Sequence, residues 1–182
     1  MKGIVFNLLE DVVTAHHGVT TWEALLDAAD LDGAYTSLGS YDDAQLFALV
    51  TAASKALGIP PNDVVKWFGS ECIPRFYDRY PQLFAPYTSA RQLAMALNDI
   101  IHPEVRKLYP GADVPVFDFT DTGPQSLRIG YSSPRRLCAF AEGLLEGTAR
   151  HYGETVTINQ PECIHRGDVR CILDCSFQPV AP

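Results

Sequence analysis

Val114-Pro115-Val116-Phe117-Asp118-Phe119 and Ser126-Leu127-Arg128-Ile129-Gly130-Tyr131 alternate apolar and polar residues, the period of half-buried strands. The chain before them has a different texture. Residues 3–16 are apolar at mixed spacing and stop at Gly18, and Thr21-Trp22-Glu23-Ala24-Leu25-Leu26 opens a second helix capped from Thr20 or Thr21. A third helix begins at Asp42-Asp43, capped from Ser40 or nearby, and runs to Gly58. Pro60-Pro61-Asn62-Asp63 starts a fourth, and the aromatic, charged stretch from Pro74 to Phe84 ends at Pro86. Ser89 to Ile101 carries Leu93, Leu97 and Ile101 on one helical stripe. Beyond the first strand pair, Arg136 to Tyr152 is again helical, with Leu137, Phe140, Leu144 and Leu145 facing inward. Glu154–Ile158 and Val169–Phe177 are strand-like and are predicted to pair as a hairpin. Helices followed by an antiparallel half predict an α+β fold, an N-terminal helical half packed on a C-terminal half of sheet and helices. At 182 residues a single domain is expected, with a helical subdomain over about 1–60 and an α/β part over about 61–182. The seam between the two is a natural place for a buried ligand.

Composition limits the function. Hydrophobic residues make up 47% and charged residues 20%, which is a globular balance with enough apolar surface for a core. Fourteen basic against 22 acidic residues give a net charge of -8 and no basic stripe, which argues against a nucleic-acid binder. No apolar run approaches the roughly 18 residues that span a bilayer. Glu10 and Asp11 interrupt the apolar start, so it reads as a structured N-terminus and not a secretory signal. A cytoplasmic protein without membrane attachment is the expectation. Of five cysteines, Cys163, Cys171 and Cys175 cluster near the end, which in a reducing compartment points to metal or redox chemistry.

Two constellations carry chemistry. His102 ends the apolar stripe, and neutral imidazole is a standard axial ligand for haem iron. Tyr131, Ser133 and Arg135 stand at alternate positions after a strand, so on extended chain they share one face. Two hydroxyls and a bidentate guanidinium suit a carboxylate or a close pair of them, and haem carries two propionates.

Met1-Lys2-Gly3-Ile4-Val5, Ile101-His102 with Lys107-Leu108-Tyr109-Pro110-Gly111-Ala112, and Tyr131-x-Ser133-x-Arg135 together resemble the H-NOX family, the haem nitric oxide/oxygen binding domains. The resemblance covers essentially the whole chain. It implies haem b, with His102 as proximal ligand, Tyr131, Ser133 and Arg135 on the propionates, and Pro115 pressed against the porphyrin. It also implies nitric oxide and CO as ligands. The output is expected in trans, because the chain ends at Pro182 without an output domain, toward a sensor histidine kinase or a diguanylate cyclase or phosphodiesterase. A sensor and not an enzyme is expected. Where oxygen-binding members place a distal Tyr, this chain has Phe140; Val5, Leu9, Phe76 and Leu144 are the other expected pocket residues. Pro103 departs from the pattern and is predicted to end or kink the proximal helix at His102.

Cys163, His165, Cys171 and Cys175 supply three thiols and an imidazole, the donors of a Cys3His zinc site or of a thiol redox group. Some bacterial family members resemble this in holding zinc there, with a His three residues before the first Cys, where this chain has Gln160. Cys138 is remote in sequence and unassigned. A zinc- or thiol-based redox sensor built on Cys163, Cys171 and Cys175 is the alternative function.

Overall fold

The computed structural model describes residues 1–180; the end of the chain at Pro182 lies outside the described residues. Helices α1 (Gly3–His17) and α2 (Val19–Ala29) meet at Gly18, whose φ of 85° makes the turn a side chain would strain. Gly18 therefore both stops α1 and caps α2, and Thr20 and Thr21 fall inside the helix. Helix α3 (Asp43–Leu57) is capped by Asp42, whose carboxylate accepts from the Ala44 N–H at 2.9 Å. The cap thus lies near Ser40, as expected, while Ser40 itself forms a bridge with Lys2.

Helix α4 (Pro61–Arg79) continues through Pro74. Proline has no N–H for the carbonyl four residues back, which here is Ser70. Arg150 supplies the missing donor, its Nη2 lying 3.2 Å from the Ser70 oxygen. Arg150 belongs to α7 (Cys138–His151), so the proline ties α4 to α7. The two helices touch backbone to backbone. A Cβ on Gly143 would stand 1.9 Å from the Lys66 oxygen, and one on Gly147 would stand 2.5 Å from the Ser70 oxygen.

The predicted single helix from Ser89 to Ile101 is divided. Ser89 caps a short α5 (Ala90–Met95), Leu97–Ile101 form one turn of π-helix, and α6 (His102–Leu108) begins anew. The Leu93–Leu97–Ile101 stripe is split with it: Leu97 packs on the sheet core, whereas Leu93 and Ile101 join a separate cluster with Ile73 and Phe84. His102 keeps helical angles (φ -65°, ψ -38°) despite Pro103. Pro103 sits in the first turn of α6, where a missing N–H leaves no bond unmade, and the irregularity is taken up by the wide turn before it.

Strands β1 (Val116–Gly123), β2 (Ser126–Ser132), β3 (Glu154–Glu162) and β4 (Cys171–Pro179) form one antiparallel sheet in the order β1-β2-β4-β3. The predicted β3–β4 hairpin is present, with Ile158 opposite Cys175. Leu127, Ile129, Leu173 and Phe177 pack with Ala141 and Leu145 of α7 in one core. Phe6, Leu8, Val12, Trp22, Leu49 and Phe68 form a second core among α1 to α4. The result is the α+β arrangement expected from the sequence, with α7 between the two cores.

Gly143→Ala tests the close approach of α4 and α7. Alanine gains up to about 1 kcal/mol in helix propensity. The new methyl nevertheless meets the Lys66 carbonyl, and the variant is expected to lose about 2 kcal/mol of stability. Urea unfolding measures this; an unchanged or raised midpoint would show that the helices need no such contact.

Candidate functional site

His102 opens α6 with its ring half-buried and without a hydrogen-bond partner among the described residues. Burial, with Arg106 adding repulsion, pushes its pKa down to about 4, so the imidazole is neutral at pH 7 and keeps a free lone pair. Its ring is near-parallel to Phe117 at 5.6 Å, and Phe117 lies 5.6 Å from the ring of Tyr131. Asn98, in the π-turn, donates to the Phe117 carbonyl at 2.8 Å and holds the segment before His102 against β1. Phe117 and Asn98 thus link the expected ligand to the expected fork. Sequence reasoning missed both, because Phe117 reads only as an inward strand residue and nothing in the local pattern marks Asn98.

The Tyr131–Ser133–Arg135 row begins on β2, which ends at Ser132. The Tyr131 hydroxyl is buried and accepts from the Leu137 N–H at 3.1 Å, and Ser133 Oγ accepts from the Arg135 N–H at 3.2 Å. Arg135 reaches back across the molecule. Its Nε donates to Asp43 at 2.8 Å, and its Nη1 donates to the Asp113 carbonyl at 2.7 Å and carboxylate at 3.0 Å. Burial alone would raise the Asp43 carboxyl, but the Met1 amino group and Arg135 outweigh it and hold it below the usual range. Asp43 and Asp113 escaped the sequence reading because both are distant in the chain from Arg135.

Val5, Leu9, Phe76, Phe140 and Leu144 all belong to the apolar cluster built on α1 and α4, and the Phe68 and Phe140 rings stand 5.3 Å apart. Pro115, half-buried, immediately precedes β1. These residues fit a haem on the chemistry of their donors. His102 is neutral and unpartnered, Arg135 is already shown to hold two carboxylates, and the five pocket candidates are apolar and share one cluster.

A family model described as haem-NO-binding matches residues 2–160. The chain belongs to the H-NOX family. Its fold superposes on a crystal structure of an H-NOX protein from S. oneidensis in the Fe(II)NO ligation state, with 37% identity and a TM-score of 0.91, covering 98% of this chain and 99% of that one. An IWP-051-bound H-NOX from Shewanella woodyi in the Fe(II)CO ligation state is 32% identical, with a TM-score of 0.81 over 100% of this chain and 95% of that one. An Fe(II) unliganded H-NOX protein from K. algicida is 26% identical, with a TM-score of 0.88 over 100% and 99%. This is a family of haem-binding nitric oxide sensors. No helix of this H-NOX chain, among the described residues, is long and apolar enough to cross a membrane.

The expected metal set Cys163, His165, Cys171 and Cys175 is corrected. The thiols of Cys163 and Cys171 lie within 4.8 Å of one another together with Cys138, the first residue of α7. Cys175 shares a strand face with Cys171, but four residues along a strand are about 13 Å apart, and its thiol turns to the Leu173 carbonyl instead. His165 is exposed, and its Nε2 lies 2.8 Å from the Arg136 carbonyl. The donors of a Cys3His zinc site are therefore not together in this H-NOX chain, and the alternative of a sensor on Cys163, Cys171 and Cys175 loses its third thiol.

Asp43→Ala and Arg135→Ala are expected to couple by about 1 kcal/mol in a double-mutant cycle read by urea unfolding, since Arg135 is largely shielded and Asp43 is about two-thirds covered. Asp113 is 62% exposed, so Asp113→Ala with Arg135→Ala should show little coupling. Equal coupling in the two cycles would contradict the burial argument.

Proposed function

We propose that this chain is a haem-based nitric oxide sensor that acts in the cytoplasm and passes its signal in trans, not an enzyme. The observation that carries the reading is His102: a neutral, half-buried imidazole with no protein partner, set beside Phe117 and Tyr131 in an H-NOX fold. Haem b, when bound, supplies a ferrous iron able to take nitric oxide or CO. His102 is the proximal ligand in this proposal, and burial favours it by keeping the imidazole deprotonated. Tyr131, Ser133 and Arg135 hold the propionates, Arg135 through charge-assisted bonds of the kind it makes to Asp43 and Asp113. Pro115, half-buried before β1, would lie against the porphyrin.

Val5, Leu9, Phe76, Phe140 and Leu144 line the distal side and exclude water from it. Phe140 has no hydrogen-bond donor, so the pocket withholds from dioxygen the stabilisation that a polar group would give, while nitric oxide needs none. The S. oneidensis and S. woodyi proteins, whose structures carry NO and CO ligation states, support this choice of ligands. The partner proposed is a sensor histidine kinase or a diguanylate cyclase or phosphodiesterase. An intense Soret band in the purified protein that shifts on adding nitric oxide is the test of the function; a folded chain that cannot be reconstituted with haem defeats it.

His102→Gly should abolish haem retention and regain it with free imidazole, as read by absorption. Normal haem content without imidazole would remove His102 from the ligand position. Ferrous protein in air should form no lasting oxygen complex while binding nitric oxide and CO. A persistent oxy spectrum at room temperature would contradict the role given to Phe140.

A further inference from the structure

His102 is the first residue of a helix whose two ends belong to different halves of the protein. Helix α6 packs chiefly on the π-turn before it. Its far end joins the helical half: Val105 and Tyr109 pack in the core of α1 to α4, and the Tyr109 hydroxyl is hydrogen-bonded to that of Tyr80, which ends α4. Its near end, where His102 stands, joins the sheet half. The His102 N–H bonds to the carbonyl of Leu97, five residues back, and so closes the π-turn, while Leu97 packs on the sheet core. Asn98 Nδ2 donates to the Phe117 carbonyl at 2.8 Å, the one side-chain hydrogen bond between the π-turn and β1 among the described residues.

The strand end of this tie is fixed. Phe117 is buried in the sheet core and stands in register with Tyr131 of β2. The same residue also meets the imidazole, with ring centroids 5.6 Å apart and planes 29° from parallel. Phe117 therefore holds the ligand segment twice, its carbonyl through Asn98 and its ring against His102. Asn98 and His102 are four residues apart, about one turn, so both side chains look toward β1. Asn98 is exposed, and the bond to Phe117 is its one side-chain hydrogen bond among the described residues. β1 is an edge strand, and an edge carbonyl without a protein donor binds water. Exchanging that water for an exposed carboxamide contributes little to stability. A bond that adds little stability, but ties the turn bearing the ligand to a fixed strand, is placed for geometry.

We infer that Asn98 is the positioning residue of the proximal ligand: through the Phe117 carbonyl it fixes the backbone of His102 to the sheet, and so sets how closely the imidazole can follow the iron. The inference rests on His102 as the haem ligand and adds what governs the strength of that bond. An imidazole tethered to a fixed strand cannot take the position that the metal alone would choose, whereas a free imidazole can. Releasing the tether therefore moves the iron–imidazole bond toward its untethered value. Asn98 acts through His102 and touches neither the iron nor its ligands on the distal side.

The test is resonance Raman spectroscopy of the ferrous, unliganded holoprotein. Asn98→Ala removes the donor, and Asn98→Asp keeps the shape but sets against the carbonyl a carboxylate that cannot donate. Both should hold haem at the wild-type content, because the bond is exposed. Both should shift the iron–histidine stretch toward the iron–imidazole band of His102→Gly rescued with imidazole, Asn98→Asp by at least as much as Asn98→Ala. Asp99, the next residue of the turn, is exposed and makes no side-chain bond among the described residues, so Asp99→Ala should leave the band unchanged. In rescued His102→Gly the ligand is cut from the backbone. Adding Asn98→Ala there should leave the iron–imidazole band in place, whereas a general disturbance of the pocket would move it. Four results overturn the inference while His102 remains the ligand: a band indifferent to Asn98→Ala, an equal shift in Asp99→Ala, a shift that persists in rescued His102→Gly, or loss of haem from Asn98→Ala, which would make the tie a folding contact. An iron–histidine band in His102→Gly without imidazole removes the ligand assignment and the inference together.

Discussion

Gly143 and Gly147 bring the backbone of α7 onto that of α4, and the sides of the candidate site follow from that contact. Helix α7 is apolar on two faces: Ala141 and Leu145 join the sheet core, while Phe140 and Leu144 join the helical core. Phe68, Cys72 and Phe76 of α4 stand in the same helical core. A side chain at Gly143 would force the helices apart and separate Phe140 from Phe68. The Pro74–Ser70–Arg150 arrangement works in the same direction, because a carbonyl freed by proline is satisfied only if α7 stays close.

On the side of β1 and β2 the organisation is electrostatic. His102 is kept neutral by burial, whereas Arg135 is paired with carboxylates from α3 and from the segment after α6. One group offers a lone pair, the other a cationic fork, and Phe117 touches both His102 and Tyr131. A neutral imidazole and a cationic fork are the groups the proposal assigns to a cofactor with a metal at its centre and carboxylates at its edge.

The parts legible in the sequence were those with a short period or a distinctive composition. The helices, the two strand pairs and the α+β order follow from apolar spacing, and Tyr131-x-Ser133-x-Arg135 is compact enough to be recognised as a motif. What the sequence did not disclose was set by packing. Asp43 meets Arg135 from 92 residues away, and no local pattern encodes that pairing. Cys138 was set aside because it is remote from Cys163, while Cys175 was included because it is near Cys171. Strand geometry reverses both choices, since α7 returns onto β4 and carries Cys138 to Cys171, whereas Cys175 is displaced along the strand. Pro103 was read correctly as an obstacle but at the wrong place, for the π-turn before His102 absorbs it.

The central claim is that His102 is the protein's bond to the haem iron. Resonance Raman spectroscopy of the ferrous, unliganded protein tests it directly. An iron–histidine stretch is expected that shifts when the histidines carry 15N, and that is absent in His102→Gly rescued by unlabelled imidazole, where the label has no effect. An isotope-sensitive iron–histidine band that persists in that variant would place the ligand on another histidine and contradict the claim.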